Sequence, residues 1–519
     1  MSKKLFRSGL IVSFMTLISR VLGLIRDIII ADKIGAGAGA DVFFFANRIP
    51  NFLRKLFAEG AFAQAFVPVL SEVKEQHGDD EVRLLLARTA GTLGVVVSLV
   101  TLIAVIASPV IAALFGMGWF VDWMNGGPNA EKFELASFML KITFPYLWFI
   151  TFVALSGAVL NTYNRFAVAA FTPVFLNIAM IGSAIWLSDS FDNPALSLAV
   201  GVFLGGLIQF LFQLPFLAKA GLLVLPRWGW RDEKVTKIRT LMLPAIFGVS
   251  VNQINMLLDA VIASFLITGS ISWLYYADRL IEFPLGLFGI GIATVILPTL
   301  SKLHVNGEGQ QFQQTMSWAL KFIVTMGLPA LAGLMVLSKP IISVLYFRGE
   351  FSTVDAQNVS WALIAYSCGL ISFMSIKVLA PGYYARQDTK TPVKIGIRAM
   401  VANMVFNLIL APWLGFVGLA LATAMSASLN AFWLYQGLKR EGHFELDNKT
   451  LGYFARVGVA TVAMALTMFY FCPPFEQWIA WPILERCLML AGYISIGVIV
   501  YAVALLLNGI TINDLKNKA

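Results

Sequence analysis

The chain has 519 residues, of which 58% are hydrophobic and 13% are charged, and its net charge is +9. Soluble domains carry about 25% charged residues, so this composition excludes a soluble globular core and predicts an all-α polytopic membrane protein. The positive charge does not indicate a nucleic-acid partner. The basic residues lie in short loops between apolar segments, which is the positive-inside pattern of a membrane protein.

The N-terminal segment combines Lys3, Lys4 and Arg7 with an apolar run, a pattern that signal peptides share. Arg20 and Arg26 interrupt the continuation of that run, and no small-x-small cleavage site is evident. We therefore interpret the segment as an uncleaved first transmembrane helix whose N-terminus lies inside the cell.

Fourteen apolar segments are predicted to cross the membrane, since a crossing takes about 20 apolar residues. They cover residues 8–31, 41–70, 85–116, 133–160, 166–187, 195–218, 240–267, 272–301, 314–338, 355–380, 393–411, 416–437, 451–472 and 483–508. Alternate loops hold nearly all the loop lysines and arginines, whereas the other set holds only Lys33, Lys132 and Arg348. The basic set is predicted to be cytoplasmic, and the even number of spans places both termini inside.

An internal repeat divides the chain. Ala46-Asn47-Arg48 recurs as Ala277-Asp278-Arg279, and Pro68-Val69-Leu70-Ser71 recurs as Pro298-Thr299-Leu300-Ser301. The repeat predicts two pseudo-symmetric six-helix lobes that alternate access to a site between them. The predicted divisions are residues 1–218 for the N-lobe, 219–239 for a basic cytoplasmic linker, 240–438 for the C-lobe and 439–519 for two additional helices.

Ionisable and polar residues concentrate in the first two predicted helices, where an ionised side chain costs about 3 kcal/mol at the centre of a span. The candidate substrate-binding residues there are Arg20, Arg26, Asp41, Arg48, Asn51, Arg54 and Glu59. Their excess positive charge predicts a cationic cavity for an anionic, phosphate-bearing substrate, because arginine forks suit phosphate. Arg279 is predicted to complete this arginine set from the second lobe. In the alternative interpretation these charges pair internally and lock helices together, as in a local Arg279–Glu282 pair.

A second polar set lies in the predicted C-lobe and consists of Asp259, Asn403, Asn407 and Thr423. One carboxylate with neutral oxygens suits a monovalent cation such as sodium better than a divalent one. The alternative is hydrogen bonding between helices. The sequence shows no cofactor motif, nucleotide-binding loop or nucleophile elbow, so we predict that the protein is not an enzyme.

The opening Ser19-Arg20-Val21-Leu22-Gly23-Leu24-Ile25-Arg26-Asp27 resembles that of the MurJ (MviN) lipid II flippases, in the multidrug/oligosaccharidyl-lipid/polysaccharide exporter superfamily. Asn47-Arg48-Ile49-Pro50-Asn51, Arg54 through Phe62 and Tyr275-Tyr276-Ala277-Asp278-Arg279-Leu280 share the resemblance. It implies that Arg20, Arg26, Arg54 and Arg279 match essential cavity arginines and that Asp41 and Glu59 are sensitive positions. It also implies a lipid-tail groove along the last two helices. Some relatives hold sodium with two aspartates, and Asn407 stands at one of those positions here.

The resemblance implies that the chain moves lipid II, the undecaprenyl-diphosphate-linked disaccharide-pentapeptide, to the outer leaflet of the bacterial inner membrane for peptidoglycan synthesis. We expect a monomer that contacts lipid II and membrane lipids, with cell-wall synthesis proteins as candidate partners. Three alternatives are a flippase for another lipid-linked oligosaccharide, a cation-coupled drug antiporter and a membrane glycosyltransferase. The arginines argue against the antiporter, and the short outer loops argue against the glycosyltransferase.

Overall fold

The computed structural model describes residues 3–55, 62–511 and 514. These residues form helices and connecting turns, and no β-strand occurs among them, which confirms the predicted all-α class. The chain divides into two compact units, residues 1–271 with 348–350 and residues 272–347 with 351–519.

The first unit contains eleven α-helices within its described residues. They are α1 (Lys3–Ile34), α2 (Ala38–Leu53), α3 (Phe62–Ile106), α4 (Ser108–Phe115), α5 (Met117–Asn125), α6 (Ala130–Thr143), α7 (Pro145–Thr162), α8 (Phe166–Phe171), α9 (Pro173–Trp186), α10 (Leu196–Lys219) and α11 (Glu233–Ala263).

The second unit holds the remaining helices, the first of which begins two residues before the unit boundary. They are α12 (Ser270–Pro284), α13 (Gly291–Val305), α14 (Gly309–Val336), α15 (Ser338–Leu345), α16 (Thr353–Ser367), α17 (Leu370–Tyr384), α18 (Lys390–Arg440), α19 (Asn448–Phe471), α20 (Phe475–Ala480) and α21 (Ile483–Leu507). A π-helical turn, Leu285–Ile290, joins α12 to α13 directly after Pro284.

Two glycines bend long helices at the places where the sequence predicts span boundaries. Gly78 (φ 78°) divides α3, and Gly415 (φ 57°) divides α18. Both φ values lie in the left-handed region, which glycine adopts without the steric penalty of a Cβ. Each of these two long helices therefore consists of two segments, and each bend lies between two of the predicted spans. Among the residues that the structure describes, ten helical stretches are long and apolar enough to cross a membrane, and the count of fourteen spans stays a prediction.

The boundary between the compact units differs from the predicted boundary between the lobes by one helix. The predicted C-lobe began at residue 240, but α11 packs against α3 and belongs to the first unit. Val235 and Ile238 of α11 lie in the same apolar core as Leu70 of α3, which explains this packing. Packing does not test the sequence repeat, so the six-plus-six division stays a prediction.

The last two long helices, α19 and α21, pack against each other and against α14. Tyr453 of α19 shares a hydrogen bond with Thr325 Oγ1 at 2.8 Å, and Tyr501 of α21 donates to the Thr325 carbonyl at 2.7 Å. Specific hydrogen bonds therefore attach these helices to α14, in addition to an apolar core that includes Val457 and Met464.

Candidate functional site

Arg26 is held by neighbours on two helices. Its Nε and Nη2 lie 2.9 Å and 2.7 Å from Oδ1 of Asp27, and its Nη1 donates to Asn177 Oδ1 at 3.0 Å. Asn177, on α9, donates in turn to the Ser19 carbonyl at 3.0 Å. The guanidinium is therefore ion-paired within α1 and hydrogen-bonded to α9, with its side chain 12% exposed. This pair was not predicted from the sequence.

Arg20 and Arg48 differ from Arg26 in their surroundings. The Arg20 side chain on α1 is exposed, and the Arg48 side chain on α2 is half-buried. Neither has an ion-pair or hydrogen-bond partner in the described part of the chain. Both helices carry mostly apolar residues. Because neither cation is paired with a carboxylate among the described residues, an ion pair within the protein does not account for its position there.

Arg54 and Asn51 are connected at the end of α2, where the helix contains a proline. Arg54 Nε donates to Asn51 Oδ1 at 3.2 Å, and Asn51 Nδ2 donates to the Asn47 carbonyl at 2.8 Å. Pro50 supplies no backbone N–H to the helix, which loosens the hydrogen bonding of this turn. The Asn51 amide N–H bonds the neighbouring Asn47 carbonyl, and its oxygen orients Arg54. Glu59, the remaining candidate of this segment, lies outside the described residues.

Asp41 is buried in a polar cluster that joins three parts of the first unit. Its Oδ2 accepts the backbone N–H of Gly269 at 2.6 Å and lies 3.8 Å from Lys132 Nζ of α6. Lys132 also donates to Thr268 Oγ1 at 2.7 Å. The geometry gives Asp41 a structural role, since it ties α2 to α6 and to the loop after α11. A contact between Asp41 and the substrate remains a prediction.

Arg279 of α12 makes the local contact that the sequence analysis considered as an alternative. Its Nη1 lies 2.8 Å from Glu282 Oε2, and its guanidinium lies 5.0 Å from the Tyr275 ring centroid. The side chain remains 34% exposed, so the pair is partly solvated and does not prevent contact with a further anion. The prediction that Arg279 completes the arginine set stays a prediction.

The candidate cation ligands are divided between the two units. Asn403 and Asn407 are fully buried in α18, and Asn407 Nδ2 donates to Asn403 Oδ1 at 2.9 Å. Thr423, beyond the bend at Gly415, lies 3.5 Å from Asn403 Nδ2. The Asn403–Asn407 hydrogen bond lies within one helical segment, whereas the contact with Thr423 joins the two segments of α18, as the alternative interpretation expects. Asp259 lies in α11 of the first unit. No group of three or more His, Cys, Asp or Glu side chains among the described residues forms a metal-ligand cluster.

Two further cations lie in apolar helices of the second unit and were not selected from the sequence. Lys377 of α17 and Arg398 of α18 are exposed, and within residues 3–55 and 62–511 neither has a side-chain partner. Both fall inside predicted membrane spans, where a cation needs a functional or structural reason. A cation inside a predicted span is the sequence signal that could have identified these two residues.

The chain matches the family model described as lipid II flippase MurJ over residues 30–488. It is 61% identical to a probable lipid II flippase MurJ of Vibrio cholerae, over 99% of this chain and 98% of that protein. It is 58% identical to a probable lipid II flippase MurJ of Haemophilus influenzae, over 97% of this chain and all of that protein.

Solved structures agree with the sequence comparisons. A lipid II flippase MurJ in an inward closed conformation superposes with a TM-score of 0.79 at 28% identity, covering 95% of this chain and 98% of that one. An inward-facing multidrug MATE transporter shares the fold, with a TM-score of 0.68 at 13% identity over 83% of this chain and 97% of that one. The chain belongs to the MurJ family of lipid II flippases.

Proposed function

We propose that this protein moves lipid II from the inner to the outer leaflet of the bacterial inner membrane, by alternating access, for peptidoglycan synthesis. The observation that carries the proposal is an exposed arginine without a described partner, Arg20, on a mostly apolar helix of a MurJ family member. A diphosphate diester has about two negative charges, and its desolvation costs several kcal/mol per charge. Arginine forks can replace the lost hydration through paired N–H···O contacts.

The arginines of the first unit are expected to differ in how they bind the diphosphate. Arg20 and Arg48 are available without breaking a described contact. Arg26 keeps Asp27 as a counter-charge, so it must exchange that carboxylate for phosphate or donate only its remaining N–H groups. Such graded binding suits a transporter, because the substrate must be released on the outer side. The inside-negative potential favours outward movement of the anion by about 2.3 kcal/mol per charge per 100 mV.

The polyprenyl tail needs an apolar path that remains in the membrane. The α19–α21 pair presents exposed apolar side chains along most of its length, among them Val462, Leu466, Leu488 and Val498. We expect the tail to lie along these helices while the diphosphate crosses the membrane. No covalent bond of lipid II changes in this process, so its mass is expected to be the same before and after transport.

Transport by Arg20→Ala protein in proteoliposomes with lipid II tests the proposal. We expect the variant to lose at least 10-fold in transport rate while folding normally, since ion pairing in the described structure does not involve Arg20. Lys33→Ala removes the same charge from the exposed end of α1 and is the matched control. Normal transport by Arg20→Ala would contradict the proposal. Vesicles with another lipid-linked oligosaccharide separate lipid II transport from the closest alternative.

Sidedness is proposed from the loop charges, with both termini in the cytoplasm. Cysteine labelling from outside is expected to reach positions near Gly37, Asn125 and Asn193. It should fail near His77 and His443. Outside labelling of His443→Cys would contradict this topology. We further propose that the protein acts as a monomer, with cell-wall synthesis proteins as transient partners and sodium as a candidate coupling ion.

A further inference from the structure

The linker between α10 and α11 is held tightly on the surface of α3. The backbone N–H of Arg227 donates to the Ala87 carbonyl at 2.8 Å, and that of Gly229 donates to Thr92 Oγ1 at 3.1 Å. Gly91 of α3 permits this approach, because a Cβ there would collide with the Arg227 backbone. The Arg88 guanidinium pairs with Asp232, which also caps α11. The linker is thus a rigid surface and not a flexible connection.

The side of the linker that faces away from α3 is aromatic. Trp228 and Trp230 stack with their rings 5.9 Å apart and 7° from parallel, and they are 60% and 40% exposed. The Arg239 guanidinium lies 3.8 Å from the Trp230 ring centroid. Beside the rings is a cleft of about 650 Å³ lined by Arg88 and residues 228–232. An exposed pair of stacked tryptophans is an apolar patch of the kind that marks a binding surface.

The charge around the cleft is positive. Four arginines, Arg88, Arg227, Arg231 and Arg239, lie with two carboxylates, Asp232 and Glu233. Asp232 is already occupied by Arg88 and by two backbone N–H groups of α11. The Arg227 and Arg231 side chains are exposed and have no partner among the residues that the structure describes. The site therefore keeps two uncompensated guanidinium groups for an anion.

Two neighbouring lysines do not add to this free charge. Lys234 and Lys237 lie 2.7 Å from Glu81 and Glu72, respectively. The hydrogen bond from Lys237 lowers the pKa of the Glu72 carboxyl, and that from Lys234 lowers the pKa of Glu81. Each lysine therefore already has a carboxylate as its counter-charge, so the anion site is limited to the arginines.

The exposed apolar stretch of α3 begins close to this surface. Along α3, the solvent-accessible side chains change from the half-buried Arg88 to the exposed apolar Val95, Val96 and Leu99. At 1.5 Å per residue, Val95 is about 10 Å from Arg88 along the helix. Tryptophan and arginine are the residues that occupy this boundary between hydrocarbon and water. An aromatic, cationic cleft at that depth suits a lipid headgroup, because the acyl chains can enter the bilayer directly beside it.

We propose that the cleft lined by Arg88, Trp228, Trp230 and Arg231 binds the phosphate headgroup of an anionic glycerophospholipid. Arg231 contacts the phosphate from within the cleft and Arg227, the residue before Trp228, reaches it from outside, while the tryptophans lie against the glycerol and the first acyl carbons. By the positive-inside pattern, the lipid belongs to the inner leaflet. This site is separate from the lipid II pathway of the proposed function and holds a resident lipid that fixes α3 and α11 at the membrane surface.

The affinity for the lipid can be measured by native mass spectrometry of the full-length protein in zwitterionic micelles, titrated with phosphatidylglycerol. Arg227→Gln/Arg231→Gln is expected to weaken binding of one phosphatidylglycerol about 25-fold, from about 5-fold per arginine near a membrane surface. Arg440→Gln/Lys449→Gln is the matched control, because it removes two exposed cations from another basic loop. We expect the control to bind like wild type. Equal binding by both double variants, or equal binding of phosphatidylcholine, would overturn the proposal.

Two further measurements distinguish a phospholipid headgroup from free phosphate as the bound anion. Inorganic phosphate at the same concentration is expected not to displace phosphatidylglycerol, since it lacks the apolar part that contacts the tryptophans. Trp228→benzoylphenylalanine, irradiated in cells, is expected to give an adduct with the mass of a phospholipid. A protein adduct at this position, or displacement by inorganic phosphate, would overturn the lipid assignment. Loss of transport in Arg20→Ala leaves this site unaffected, so the two proposals fail independently.

Discussion

In α1, Nη2 of Arg26 lies 2.7 Å from Oδ1 of Asp27, so one of the candidate substrate-binding arginines already has a counter-ion on its own helix. The pair is nearly buried and is extended to α9 by the hydrogen bond to Asn177. A buried charge without its partner is strongly destabilising, so the pair has structural value. Substrate binding and helix packing are both physically reasonable roles for Arg26, and variants can separate them.

Arg26→Ala is expected to abolish lipid II transport while the protein still accumulates in the membrane. Arg26→Lys should restore only part of the activity, because an ammonium keeps the charge but loses the fork that contacts two acceptors. Transport in proteoliposomes and the amount of protein in the membrane are the two measurements. Loss of both in Arg26→Ala, together with equal losses in Asp27→Asn, would assign the pair to helix packing alone.

Asp41→Ala is expected to lower the free energy of unfolding by about 3–5 kcal/mol, because it leaves the buried Lys132 ammonium without its counter-charge. Thermal unfolding in detergent measures this effect. The control is Asp41→Asn/Lys132→Met, which removes both charges and should be clearly less destabilising than Asp41→Ala. A stable Asp41→Ala protein that fails to transport would instead support a direct role in substrate binding.

Truncation after Leu446 removes α19, α20 and α21, and it is expected to abolish lipid transport while the helices before it still fold. The polyprenyl tail of lipid II is then left without its proposed apolar path. In addition, Thr325 and its neighbours on α14 lose a packing partner. Tyr453→Phe/Tyr501→Phe is the control, since it removes the hydrogen bonds to Thr325, at about 0.6 kcal/mol each, and keeps the helices. Normal growth with the truncated protein as the only copy would show that the two helices are accessory.

Asp259→Asn is expected to weaken transport and to remove any dependence on sodium, if Asp259 supplies the one carboxylate of a cation site. The measurement is the transport rate in sodium and in potassium buffers at equal ionic strength. Asn403→Ala is the comparison, because it breaks the hydrogen bonds of the buried amide pair without changing charge. A transport rate that responds to neither sodium nor Asp259→Asn would leave the polar set with a packing role only.

The sequence by itself determined the fold class, the helical segments and the family. Apolar length predicts helices because a bilayer leaves the backbone no other partners for its hydrogen bonds. The bend at Gly415 was also predictable, as the break between two adjacent apolar spans. The contact between Asn403 and Asn407 followed from their i, i+4 spacing, which places two side chains on one helix face.

Only the tertiary structure decided which charges are paired. Asp27 follows Arg26 directly, and helix periodicity does not predict contacts between adjacent residues. Asn177 and Lys132 approach Arg26 and Asp41 from helices far along the chain, so periodicity within a helix carries no information about them. The packing of α11 on α3 was likewise decided by the complementary shape and charge of two distant segments. Local pattern specifies an element and its faces, whereas the partner of each face depends on how all the elements pack.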